Sequence, residues 1–71
     1  MRRFLIVVEK AESNFSAYSP DLPGCVATGS TPEETRTRMQ AAIAMHVEGL
    51  REDRLPVPEP SATADYVEVA S

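Results

Sequence analysis

The chain has one cysteine, one histidine, three glycines and no apolar run longer than five residues. Each scarcity excludes something. Cys25 alone forms no intrachain disulfide, and with His46 as the other soft ligand no metal-site spacing exists. Gly24, Gly29 and Gly49 stand singly, so no glycine-rich loop resembles a phosphate cradle. The run Phe4-Leu5-Ile6-Val7-Val8 follows Arg2 and Arg3 as a signal peptide's core would, but Glu9-Lys10 end it. A secretory core needs at least about seven apolar residues and a membrane span about twenty. A cytoplasmic protein with no membrane contact is therefore expected, and Asn14-Phe15-Ser16 reads as a chance glycosylation sequon. Positive charge is also short: seven Lys+Arg against eleven Asp+Glu, a net −4. An acidic chain lacks the basic face that nucleic acid demands, so no direct DNA binding is expected. Finally, 71 residues leave room for one domain over 1–71 and none for a two-domain cleft enzyme. A chain this size buries about 60% of its unfolded surface, so help from an oligomer interface is expected.

What is present has a clear order. Residues 3–10 read as a strand with two apolar faces, Phe4, Ile6 and Val8 against Leu5 and Val7. Phe15–Ser19 alternates as a second strand and Pro20 stops it. Pro20-Asp21-Leu22-Pro23-Gly24 is turn chemistry throughout, with Gly24 able to take positive φ. Cys25–Thr28 is a third short strand. Thr31-Pro32-Glu33-Glu34 reads as N-cap, N1 proline and a capping-box glutamate. Behind it Thr35, Met39, Ala42, Ile43, His46 and Leu50 form one stripe of a helix over 32 to about 53, while Arg36, Arg38, Gln40 and Glu48 face away. Leu55-Pro56-Val57-Pro58-Glu59-Pro60 must leave the helix and run extended. Ala64–Ala70 returns to strand patterning, Val67 and Val69 opposite Tyr66 and Glu68. The prediction is an α+β, two-layer β-β-β-α-β domain. A mostly antiparallel four-stranded sheet in the order 3-2-1-4 carries one helix on one face, the fourth strand parallel to the first through a right-handed crossover.

Chemistry is sparse. His46 on the apolar helix stripe reads as a packed histidine rather than a base. Cys25, in Gly-Cys-Val-Ala-Thr, suits a small buried residue better than a nucleophile. Glu33-Glu34 are explained by the helix start, and Glu52-Asp53 by a solvated helix end. No catalytic residue, no metal ligand and no cofactor is expected; the composition points to a binding or assembly module.

Two segments carry a family resemblance: Pro20-Asp21-Leu22-Pro23-Gly24-Cys25, followed by Val26-Ala27-Thr28-Gly29-Ser30-Thr31-Pro32-Glu33-Glu34, and the exit Pro56-Val57-Pro58-Glu59-Pro60. With Ala42-Ile43, His46 and Glu48-Gly49-Leu50 between them, residues 3–70 resemble the HicB-like antitoxins. The resemblance implies a cut-down fold of the ribonuclease-H or double-stranded-RNA-binding type without catalytic carboxylates. It also implies a partner, a small basic mRNA-cleaving toxin of the HicA type. Many such proteins carry a further C-terminal DNA-binding domain; nothing of that kind follows the fourth strand here, so a solo domain is expected. Arg36 stands where relatives carry an apolar residue and Arg54 where a helix-ending glycine is common.

An acidic chain steers toward a basic partner. Glu59, Asp65, Tyr66 and Glu68 on the extended tail, and Asp21, Leu22 and Pro23 in the rigid loop, are the expected partner contacts. The doubly apolar first strand makes Leu5 and Val7, with Tyr66, the expected interface of a homodimer. The alternative is a free-standing, non-enzymatic homo-oligomeric domain whose toxin is different or lost; nuclease activity stands only as a remote third.

Overall fold

A computed structural model describes residues 2–71. Three strands, β1 (Val7–Lys10), β2 (Phe15–Tyr18) and β3 (Val26–Gly29), precede one long helix, α1 (Pro32–Glu52). The sheet is antiparallel in the order β1-β2-β3, with Val8 opposite Ala17 and Ala17 opposite Ala27. The α+β class and the two layers stand as predicted.

The predicted fourth strand and the order 3-2-1-4 do not appear: residues 55–71 join no ladder. The first strand is also shorter than its apolar run: it begins at Val7, and Arg3–Ile6 have no ladder pairing. Continuing the register past Val7–Tyr18 sets Ile6 and Leu5 against Ser19 and Pro20, where the turn closed by the Leu22 N–H on the Ser19 carbonyl takes β2 out of the ladder. On the other side, among the described residues, the tail makes no backbone–backbone bond to this segment. The tail does run beside that segment. Arg2 donates to the Val57 carbonyl at 3.4 Å and meets the Glu59 carboxylate at 3.0 Å. Pro60–Thr63 then lie across an open cleft from Arg3–Ile6.

The core is small. Ala17, Leu22, Cys25 and Met39 are buried, and Phe4, Ile6, Ala27, Ala42 and Ile43 pack around them. Helix α1 lies mainly over β3 and β2 and touches β1 least. Its stripe therefore fades along its length: Thr35 and Met39 are fully buried, whereas Ala42, Ile43, His46 and Leu50 are half-buried. Cys25 is a buried core residue, and burial pushes its thiol pKa up.

Both helix ends follow from local chemistry. The Thr31 hydroxyl accepts from the Glu34 backbone N–H at 3.0 Å, as an N-cap should. Glu34 does not return to Thr31, however. Its carboxylate accepts from the Ser30 N–H at 2.8 Å and the Ser30 hydroxyl at 3.0 Å, one residue earlier than a standard capping box. These bonds, led by that of the Ser30 N–H, hold the Glu34 pKa below the usual carboxylate range, with help from Arg38. At the other end Arg54 takes φ +57°, the left-handed region glycine usually fills. Leu55 N–H reaches the Leu50 carbonyl at 2.8 Å and Arg54 N–H the Arg51 carbonyl at 3.0 Å, which is a Schellman closure without its glycine.

Candidate partner-binding surface

The loop between β2 and β3 consists of two successive proline-led turns. Leu22 N–H donates to the Ser19 carbonyl and Cys25 N–H to the Leu22 carbonyl, each at 3.1 Å. In the second turn Pro23 holds the first corner and Gly24, at φ +83°, the next, the arrangement of a type II turn. Between the turns Leu22 plunges into the core with 1% of its surface exposed. Leu22 was expected to touch a partner; it is instead a core residue, because the double turn aims its side chain at Met39 and Cys25 rather than at solvent. Pro23 is exposed on the outer corner. The Ser19 hydroxyl, also buried, donates to the Leu5 carbonyl at 2.8 Å and ties the loop to the first segment.

Asp21 is a connector. One carboxylate oxygen accepts from the backbone N–H groups of Ser61 and Ala62, both at 3.2 Å, and the other from the Ser61 hydroxyl at 3.1 Å. These bonds, led by the Ala62 N–H, hold the Asp21 pKa below the usual carboxylate range. Asp21 thus faces its own chain and fixes the point from which the tail departs. Nothing in the sequence signals this link across 40 residues.

Beyond Ala62 the chain is open. Tyr66, Val67 and Val69 are 98%, 88% and 82% exposed. Asp65 and Glu68 are exposed beside them, and the Asp65 carboxylate accepts from the Tyr66 backbone N–H at 2.7 Å. Glu59 is exposed but ion-paired with Arg2 at 3.0 Å. The structure therefore brings Asp65, Tyr66 and Glu68 together on one accessible strip, leaves Glu59 and Pro23 accessible nearer the body, and removes Leu22. Leu5 and Val7 are half-buried on the first segment.

A cleft of about 540 Å³ between Arg3–Ile6 and Pro60–Thr63 has an apolar floor of Phe4, Leu5 and Ile6. A second, of about 370 Å³, lies between the first segment and the helix, lined by Arg2, Arg3 and Arg36 above Phe4, Ile6 and Ile43. Sequence reading missed this gathering of three arginines because Arg36 was placed only by the helix face it turns from. It also missed the fit at Gly29. A Cβ there would stand 2.6 Å from the Thr35 hydroxyl and 2.8 Å from the Thr35 backbone nitrogen, so strand and helix meet where only glycine passes. The glycine immediately before Ser30-Thr31 was the available clue.

These features define a small α+β module with one helix on a three-stranded sheet and an exposed acidic tail. The whole chain but its ends, residues 4–70, matches the family model described as the HicB-like antitoxin of bacterial toxin–antitoxin systems, and the protein belongs to that family. It is 32% identical over 62 residues to an uncharacterised 14.9 kDa protein of the rep-hol intergenic region of Haemophilus phage HP1. It is 37% identical over 49 residues to a UPF0150 protein of Helicobacter pylori. Those alignments take in 87% and 69% of this chain. They span 47% of the phage protein, about half its length, and 68% of the Helicobacter one. No solved structure matches the chain. Among the described residues, no helix is long and apolar enough to cross a membrane.

Proposed function

We propose that this protein is the antitoxin of a toxin–antitoxin pair, binding a small basic mRNA-cleaving toxin of the HicA type and covering its RNA-binding surface. The domain over 1–71 acts as one non-catalytic, cytoplasmic module that does not itself bind operator DNA. The observation that carries the reading is the family membership over residues 4–70, joined to an acidic, accessible tail. Residues 55–71 hold Glu59, Asp65 and Glu68 and no cation, so they compete for the basic face that RNA phosphates would occupy. Tyr66 supplies apolar area beside the two acids, as interface anchors do. Pro23 stands on a pre-ordered corner and costs little entropy to dock. Asp21 acts one step back, setting where the tail starts.

A specific observation favours association between copies as well. Val67 and Val69 are apolar, strand-patterned and almost fully exposed, and β1 has a free edge. A homodimer using Leu5, Val7 and Tyr66 would serve either a toxin-bound protein or a free-standing domain whose partner differs.

The test is co-expression with the small basic protein of the neighbouring reading frame. The wild-type chain should co-purify with it and rescue growth, and the triple charge reversal Glu59→Lys, Asp65→Lys, Glu68→Lys should lose both. Failure of the wild type to bind or rescue rejects the antitoxin role. Rescue by the triple variant rejects the acidic-tail mechanism and leaves the role intact.

A further inference from the structure

Helix α1 carries a second stripe that the core uses only at Ile43. Arg36, Gln40, Ile43, Ala44, Val47 and Arg51 fall at i, i+4, i+7, i+8, i+11 and i+15, which is one helix face. Its middle is apolar, and the arginines at its ends are about 22 Å apart along the axis, at about 1.5 Å of rise per residue. Because α1 touches β1 least, a groove stays open between this face and residues 2–6. The cavity of about 370 Å³ beneath Arg2, Arg3 and Arg36 continues into one of about 660 Å³ that reaches Val47 and Arg51. Phe4, Gln40 and Ile43 line both. Phe4, Ile43 and Val47 are half-buried, whereas the arginines are exposed. The groove gathers the positive charge of an acidic chain: Arg2, Arg3, Arg36 and Arg51 line it, against the single acid Glu48. Among the described residues the ion pairs are Arg2 with Glu59 and Arg38 with Glu34, so Arg3, Arg36 and Arg51 stand in none. The chain itself shows what such a rim takes. Arg2 donates to the Val57 carbonyl at 3.4 Å and holds the Glu59 carboxylate at 3.0 Å, so one guanidinium reads a peptide carbonyl and a carboxylate two residues later.

We propose that this groove docks an extended acidic segment of a partner protein, with apolar side chains at its centre and carboxylates at both ends. The distance from Arg36 to Arg51 suits about seven extended residues. The apolar centre covers Phe4, Ile43 and Val47. The terminal carboxylates take the guanidinium groups of Arg3 and Arg36 at one end and of Arg51 at the other. A guanidinium accepts a carboxylate in a bidentate fork and is more weakly hydrated than an ammonium, so it gives up water readily beside an apolar floor. Glu48 stands between Ala44 and Arg51 and turns further acids away from the apolar stretch. The proposal goes beyond the antitoxin reading. The toxin is basic and meets the acidic tail, whereas the groove presents the opposite sign, so the two partners need not compete.

Isothermal titration calorimetry with a synthetic peptide, two glutamates at each end of a leucine-valine-leucine centre, tests the groove, with circular dichroism to confirm that α1 is intact in every variant. The assay contains no toxin, so its outcome is separate from that of the co-expression experiment. The wild-type chain should bind the peptide. Arg36→Gln with Arg51→Gln should weaken binding about tenfold or more at unchanged helix content. A peptide with serine at the three central positions should bind about fivefold or more weakly to the wild type. Lys10→Gln, which removes a cation outside the groove, should leave the affinity unchanged. A wild-type chain that takes up no peptide at about millimolar concentration overturns the proposal. So does binding indifferent to the arginine substitutions, or weakened equally by Lys10→Gln. A wild-type dimer in sedimentation velocity that the arginine substitutions take apart also overturns it, since a second copy is then the occupant.

Discussion

Residues 2–54 and 55–71 obey different physics. In the first, the large apolar residues that are fully buried, Leu22 and Met39, lie between the sheet and the first half of α1. In the second, the apolar residues Tyr66, Val67 and Val69 lie in solvent, and the ties to the body are an exposed ion pair and the Asp21 clamp. The body resembles a domain that folds for its own sake. In the tail those apolar side chains stay uncovered.

Substitutions that sharpen the contrast begin in the body. Gly29→Ala should be the most damaging, lowering stability by about 2–3 kcal/mol in denaturant titration, since the new methyl meets Thr35 backbone that has no room to retreat. By contrast Val69→Ser, in the tail, should leave the unfolding midpoint of dilute protein unchanged. Thr31→Ala should cost about 1 kcal/mol by removing the helix N-cap, visible as the same shift in midpoint by circular dichroism and by fluorescence of an added dye. Arg54→Gly should go the other way and stabilise by about 0.5–1 kcal/mol in the same titration, because glycine occupies the left-handed closure of α1 without strain.

The smallest effect joins the regions. Asp21 and Glu34 both have carboxyl pKa values lowered by folding, so their contribution is fully present above the ordinary carboxylate range and is lost as pH falls through the lowered folded values. Acidification below about pH 4 should therefore loosen the Ser61–Ala62 anchor and the Ser30 end of the helix together. Amide resonances of Ser30, Ser61 and Ala62 should titrate with these two carboxylates, and Asp21→Ala should abolish the change at Ser61 and Ala62 while sparing Ser30.

Much of the body was legible in the sequence. The helix bounds, its N-cap threonine and N1 proline, the positive φ of Gly24 and the three-strand order are each set by residues within a few positions of one another. The same locality explains the misses. Leu22 sits between two prolines in a surface-type loop, and only the pairing of two turns reveals that it points inward. The Glu34 carboxylate chose Ser30 over Thr31, a difference of one residue that pattern alone does not fix. The Asp21 anchor joins positions 40 apart and leaves no periodic trace. The fourth strand expected from the alternation over 64–70 does not form: alternation alone supplies no backbone partner, and none of the three strands pairs with that segment.

Amide hydrogen exchange on dilute, partner-free protein tests the division most directly. The expected result is slow exchange in β2, β3 and the first half of α1, with residues 64–70 exchanging as an unstructured peptide does and slowing only when the protein is concentrated or its partner is added. Slow exchange at 66–70 in the dilute monomer would place the tail as a fourth strand of its own sheet and contradict the separation of a self-sufficient body from a tail held for another chain.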